Sequence, residues 1–154
     1  MWNTPEKLRS LLCELVSWES QTMTKGEQLF SSKLKAKLQQ LQYFKENPSY
    51  LKLCDVDRGR QVVSALYKNS HVNETVVLIS HFDTVQIEEY GSFIPIATMP
   101  EVLTNAFKAD PSMLNESAKK DLVSGDYLFG RGVMDMKIGL ALHMQIIERA
   151  IAEK

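Results

Sequence analysis

Three residues of this 154-residue chain have the types and spacing for chemistry: His81 and Asp83, two positions apart, and Asp135, 54 positions after the histidine (135 − 81 = 54). An imidazole offers a neutral nitrogen to a cation. A carboxylate beside it either joins the same ion or accepts the other ring N–H and fixes the tautomer. Both roles are open to Asp83, and the second is favoured because residues two apart rarely both reach one tetrahedral ion well. Bland readings stand next to these. A His-x-Asp pair occurs by chance, a lone histidine beside a core strand is usually a satisfied structural group, and Asp135 taken alone reads as an ordinary helix cap. Location tips the balance. Two polar groups directly after Val76-Val77-Leu78-Ile79 would be costly to bury unpaired, and a metal removes that cost.

The elements that must position these groups follow from pattern. Residues 76–79 read as a buried β-strand that delivers His81 and Asp83 just past its carboxyl end, where open α/β sheets gather ligands. Asp135 stands between Gly130-Arg131-Gly132 and a helix, so the glycines free the backbone and the helix brings its positive end near the carboxylate. The same glycines do not make a dinucleotide loop, since GxGxxG needs glycine where Asp135 stands. No GxSxG, P-loop or CxxC is present. His71 reads as a solvated loop residue, and His143 as core or surface rather than a ligand.

Around these stretches, Thr4-Pro5-Glu6 opens a helix whose buried face is Leu8, Leu11, Leu12, Leu15 and Val16. After the polar break at residues 19–22, Thr24 to Glu27 forms a capping box for a second helix carrying Phe30, Leu34, Leu38 and Leu41, which Asn47-Pro48 ends. Residues 50–56 and 61–67, on either side of Asp57-Arg58-Gly59-Arg60, read as a β-hairpin. Between Asp83 and Gly130 periodicity fades, and short helices are expected near residues 102–108 and 112–122. A mostly buried helix over 136–153 closes the chain, with Leu140, Met144, Ile147 and Ile151 on its apolar face and Lys137, Glu148 and Arg149 elsewhere.

Composition bounds the rest. A hydrophobic content of 44% suits one α/β domain spanning 1–154. Eighteen basic against nineteen acidic residues leave a net charge of −1, which argues against nucleic acid or an anionic membrane surface as partner. The opening MWNTPEKLRSLL lacks the apolar core of a signal peptide, and no run approaches the roughly 20 apolar residues of a membrane span, so a cytoplasmic location is expected. Cys13 and Cys54 read as inert core thiols.

SHFDTV at 80–85 followed by LFGRGVMDMKIGLA at 128–141 is similar to the paired signatures of the M20 family of zinc metallopeptidases and amidohydrolases. LCELVSWESQ before the second helix and the long insert after HFDTVQIEEYG look most like its arginine-utilisation (RocB-type) branch. The resemblance implies a three-layer zinc-peptidase (phosphorylase/hydrolase-like) catalytic domain, a mixed sheet flanked by helices, of which residues 1–154 would be the N-terminal portion, cut after the bridging-aspartate helix. It also implies two zinc ions, with His81 binding one, Asp135 bridging both and Asp83 serving catalysis by orienting His81. A cis bond between Asp135 and Met136 belongs to the same pattern, whereas Ile138 departs from it by standing where a second glycine is common. The substrate class implied is a small peptide or an amidated or acylated amino acid. The catalytic glutamate and remaining ligands of such a site would lie after Asp135, where this chain has only Glu148 and Glu153. The expectation is therefore half a di-zinc site, weak or partial zinc binding, no hydrolysis by this chain alone, and self-association through an uncovered sheet edge.

Overall fold

A computed structural model describes residues 1–69 and 72–153, so His71 lies outside the described residues. Helix α1, Pro5–Ser17, begins where the Thr4 side chain accepts the Lys7 N–H, and it buries Leu11, Leu12, Leu15 and Val16. Helix α2, Lys25–Leu38, starts with Thr24 Oγ1 accepting the Glu27 N–H, while Glu27 Oε2 reaches back to the Met23 N–H at 2.5 Å. The apolar stripe continues past α2, but the helix does not. Leu41 turns extended, and a short helix α3, Gln42–Glu46, starts afresh so that Leu41, Tyr43 and Phe44 all face inward.

Strands β1, Leu51–Asp55, and β2, Gln61–Ala65, form the expected antiparallel hairpin with Leu51 opposite Ala65 and Asp55 opposite Gln61. Its turn uses left-handed backbone at Arg58 and Gly59. Helices α4, Pro100–Ala109, and α5, Glu116–Ser124, fall in the region of faded periodicity, and α6, Ile138–Ala152, ends the chain. The main core joins α1, α2, α3, β1 and α6 through Leu15, Val16, Phe30, Phe44, Leu51, Ala141 and Met144. A second cluster, Leu103, Phe107 and Leu122, holds α4 to α5. Among the described residues no helix is long and apolar enough to cross a membrane.

The architecture is α/β, but the sheet differs from expectation. Among the described residues it is a two-stranded hairpin rather than a mixed sheet flanked by helices. Residues 76–79 are not a buried strand: Val76, Val77 and Ile79 are 85%, 71% and 80% exposed and pair with no strand. Four successive apolar residues need cover on both faces and backbone partners on both edges. Among the described residues, β1 and β2 pair only with each other, so that setting is missing.

Three smaller corrections follow from packing. Helix α6 is half-buried rather than mostly buried, since Leu142 and Ile146 face out. Lys137 and Glu148, expected away from the core, are both buried, and Glu148 accepts from the Met1 amine and the Trp2 N–H. Cys54 is exposed on the hairpin rather than a core thiol, while Cys13 is half-buried and its thiol is pushed up by burial and, secondarily, by Glu101.

Candidate metal centre

The site is built from two segments that hydrogen bonds and packing deliver to one place. The connection between α1 and α2 runs alongside residues 82–84. The Thr84 N–H donates to Ser20 O at 2.9 Å, the Thr22 N–H donates to Thr84 O at 3.0 Å, and Ser20 Oγ donates to Phe82 O at 2.6 Å. The Phe82 ring stacks on Phe30 in the main core, with centroids 4.4 Å apart. Alternation then turns His81 and Asp83 away from that anchor, toward solvent. Ser80, on the near side, has its Oγ 2.6 Å from His143 Nδ1 on α6.

Asp135 arrives on an irregular turn, Val133–Lys137, that precedes α6. Gly132 supplies the left-handed backbone at its start, and the Lys137 N–H closes the turn onto Gly132 O at 2.9 Å. A Cβ on Gly132 would lie 2.8 Å from Thr84 Cγ2, so the glycine also lets the two segments approach. The Asp135–Met136 peptide bond is cis, as the family pattern implies. Lys137 pins the turn from below: its Nζ donates to Trp18 O at 2.8 Å and lies 4.9 Å from the Phe30 ring centre. Burial, with Lys33 as a second cation nearby, brings its ammonium down to about 7.

These segments place the His81 ring between two carboxylates. His81 Nε2 is 3.0 Å from Asp135 Oδ1, and His81 Nδ1 is 3.3 Å from Asp83 Oδ1. All three predicted site residues therefore meet, across 54 positions of sequence. Asp135 is not a helix cap. Its backbone is non-helical, α6 starts three residues later without a side-chain cap, and the carboxylate turns to His81 instead. The site is open, with the Asp135 side chain 87% exposed and that of His81 49% exposed.

Zinc held by one nitrogen and one oxygen at about 2.0–2.1 Å in tetrahedral geometry separates the two donors by about 3.3 Å. The observed 3.0 Å between His81 Nε2 and Asp135 Oδ1 is within a few tenths of an ångström of that spacing, and Asp83 occupies the place of an orienting carboxylate. The pair fits as two donors of a shell. Among the described residues no group of three or more His, Cys, Asp or Glu side chains is clustered as a complete shell requires.

The chain is similar to Protein RocB of Bacillus subtilis (strain 168). The two are 30% identical over 146 residues, which cover 92% of this chain and 25% of RocB. The "Uncharacterized protein YqjN" of the same organism is 42% identical over 150 residues, covering 97% of this chain and 27% of that protein. The chain thus spans about a quarter of the length of the curated relatives it matches. No family model and no solved structure matches it. The similarity fits a RocB-type relationship.

Sequence reasoning missed several supporting groups. Ser20 and Thr22 read only as a polar break, although a hydroxyl cluster between two helices was the available signal. Lys137 was hidden because one cation at the start of an apolar helix looks solvated. The Ser80–His143 contact joins residues 63 apart, which no local pattern reveals.

Proposed function

We propose that this chain carries one half of the metal site of an M20-type hydrolase acting on peptide or amide bonds, of the arginine-utilisation branch. The observation that carries the reading is the His81 ring set between Asp135 and Asp83 at 3.0 and 3.3 Å. The similarity to RocB over 92% of the chain supports it. In this reading residues 1–154 belong to a three-layer zinc-peptidase domain of a cytoplasmic protein. The substrate class is a small peptide or an amidated or acylated amino acid.

His81 and Asp135 would hold zinc, two ions in the complete site. Bound there, the metal supplies Lewis-acid activation of water and of the scissile carbonyl. The chain's own residues prepare the donors. The Asp83 main-chain oxygen lies 3.2 Å from His81 Nδ1 and its carboxylate 3.3 Å away, so with metal bound Asp83 would hold the proton on Nδ1 and leave Nε2 to the ion beside one oxygen of Asp135. Hydrolysis needs a proton acceptor for the water and further donors, so the 154-residue chain by itself is read as inactive.

Equilibrium dialysis of the purified chain against zinc, read by elemental analysis, tests the reading. Weak or sub-stoichiometric binding is expected, falling at least tenfold in His81→Ala and Asp135→Asn. Equal zinc content in all three proteins would overturn it. Robust hydrolysis by the purified chain, lost in Asp135→Asn, would overturn the inactivity. The second reading, a non-catalytic α/β binding module, is favoured by the exposed apolar residues 76–79 and predicts a metal-indifferent protein.

A further inference from the structure

The carboxylate that faces His81 is itself held from the other side. Thr22 Oγ1 lies 3.0 Å from Asp83 Oδ2, while His81 Nδ1 meets the Asp83 main-chain oxygen at 3.2 Å and Asp83 Oδ1 at 3.3 Å. We propose that Thr22 is a positioning residue for this site, fixing the rotation of the Asp83 carboxylate and through it shifting the His81 ring toward the Nδ1-protonated tautomer, against the pull of Asp135 on Nε2 at 3.0 Å. The inference rests on the metal-site reading only for its consequence on metal affinity.

A carboxylate turns readily about its last side-chain bond, so one contact to histidine does not fix it. A hydroxyl on the second oxygen does. Thr22 is not free to follow a wandering carboxylate, because its N–H donates to Thr84 O at 3.0 Å and Gln21 pairs with Thr84 in a parallel bridge. Hydroxyl and carboxylate therefore sit on two backbones already tied together. The hydroxyl also lies 3.2 Å from Thr84 O, but it has one proton, and the shorter contact to a charged acceptor takes it.

The consequence is a chain of contacts, Thr22 to Asp83 to His81 to Asp135, that starts in the connection between α1 and α2. The test uses the full chain and the isosteric Thr22→Val, with Thr22→Ser as the conservative control. Long-range ¹H–¹⁵N spectra at a pH of about 9, above the ordinary imidazole range, read the His81 tautomer without metal. Zinc affinity is measured by chelator competition on the same proteins. In Thr22→Val the fraction protonated at Nδ1 should fall and zinc affinity should drop about threefold to tenfold, with both restored in Thr22→Ser. An unchanged tautomer in Thr22→Val, with the fold intact by circular dichroism, overturns the inference. A tautomer shift without zinc binding by any of the proteins upholds Thr22 as a positioning residue and sinks the metal reading instead.

Discussion

Two single residues decide whether the Asp135 turn can form. Gly132 combines a left-handed backbone with a close approach to Thr84, whereas Gly125 has nearly the same backbone with nothing within 4 Å. Gly125→Ala should therefore cost only the conformational penalty, about 1 kcal/mol, and Gly132→Ala about 2–3 kcal/mol. Urea midpoints of the two variants check this, and equal costs would remove the close approach as a cause. Lys137 sets a different balance. Its stem fills space beside Phe30 while its buried nitrogen donates to the Trp18 carbonyl and stands over the Phe30 ring. Lys137→Ala leaves a cavity and should cost about 2–4 kcal/mol. Lys137→Met keeps the volume and removes a desolvated cation, which offsets the loss of one hydrogen bond, so a cost within about 1.5 kcal/mol is expected. Equal unfolding midpoints for the two variants would mean that volume is not what Lys137 contributes.

Among the elements, what was legible depended on where the determining contacts lie. Helices α1 and α2 announce themselves because caps, dipole and apolar stripe all act within a few residues, and Thr4 and Thr24 do cap them. The hairpin is legible for the same reason: its turn residues and both strands are neighbours in sequence. Residues 76–79 carry an equally strong apolar signal and were misplaced, because burial of a strand depends on neighbours that no local pattern supplies. The meeting of His81 with Asp135 was legible through paired motifs, whereas Thr22 and Lys137 depend on tertiary approach and left no such trace. The exposed run makes a prediction. Ile79→Ala should change stability by less than about 0.5 kcal/mol, while Leu15→Ala in the core should cost about 2–5 kcal/mol. A loss at Ile79 comparable to that at Leu15, measured by chemical denaturation, would show that residues 76–79 are covered in solution.

At the scale of the whole molecule, the second apolar cluster matters because it reaches the site through a buried hydroxyl on α4 and through Phe129. Thr104, buried on α4, donates from Oγ1 to Pro100 O at 2.7 Å and accepts the Phe129 N–H at 3.0 Å. Phe129 packs its ring on Phe107 in the same cluster, and two residues later the Arg131 N–H donates to Ala97 O at 2.8 Å. The Arg131 guanidinium meets Glu89 and stands over Tyr90, which binds the glycine turn to the long connection as well. Position therefore reaches Asp135 from both clusters, from α4 through residues 129–131 and from the main core through Lys137 on Trp18 and Phe30, while His81 is held by the main core through Phe82 and Phe30. Thr104→Val preserves shape but leaves the Phe129 N–H without its acceptor, so it should cost about 1–3 kcal/mol, and Thr104→Ser should recover most of that. Hydrogen exchange locates the effect: the Phe129 amide should lose protection in Thr104→Val while the amides of α1 keep theirs. A uniform loss of protection across both regions would mean that the two clusters open as one unit and that Thr104 does not act locally on residues 129–131.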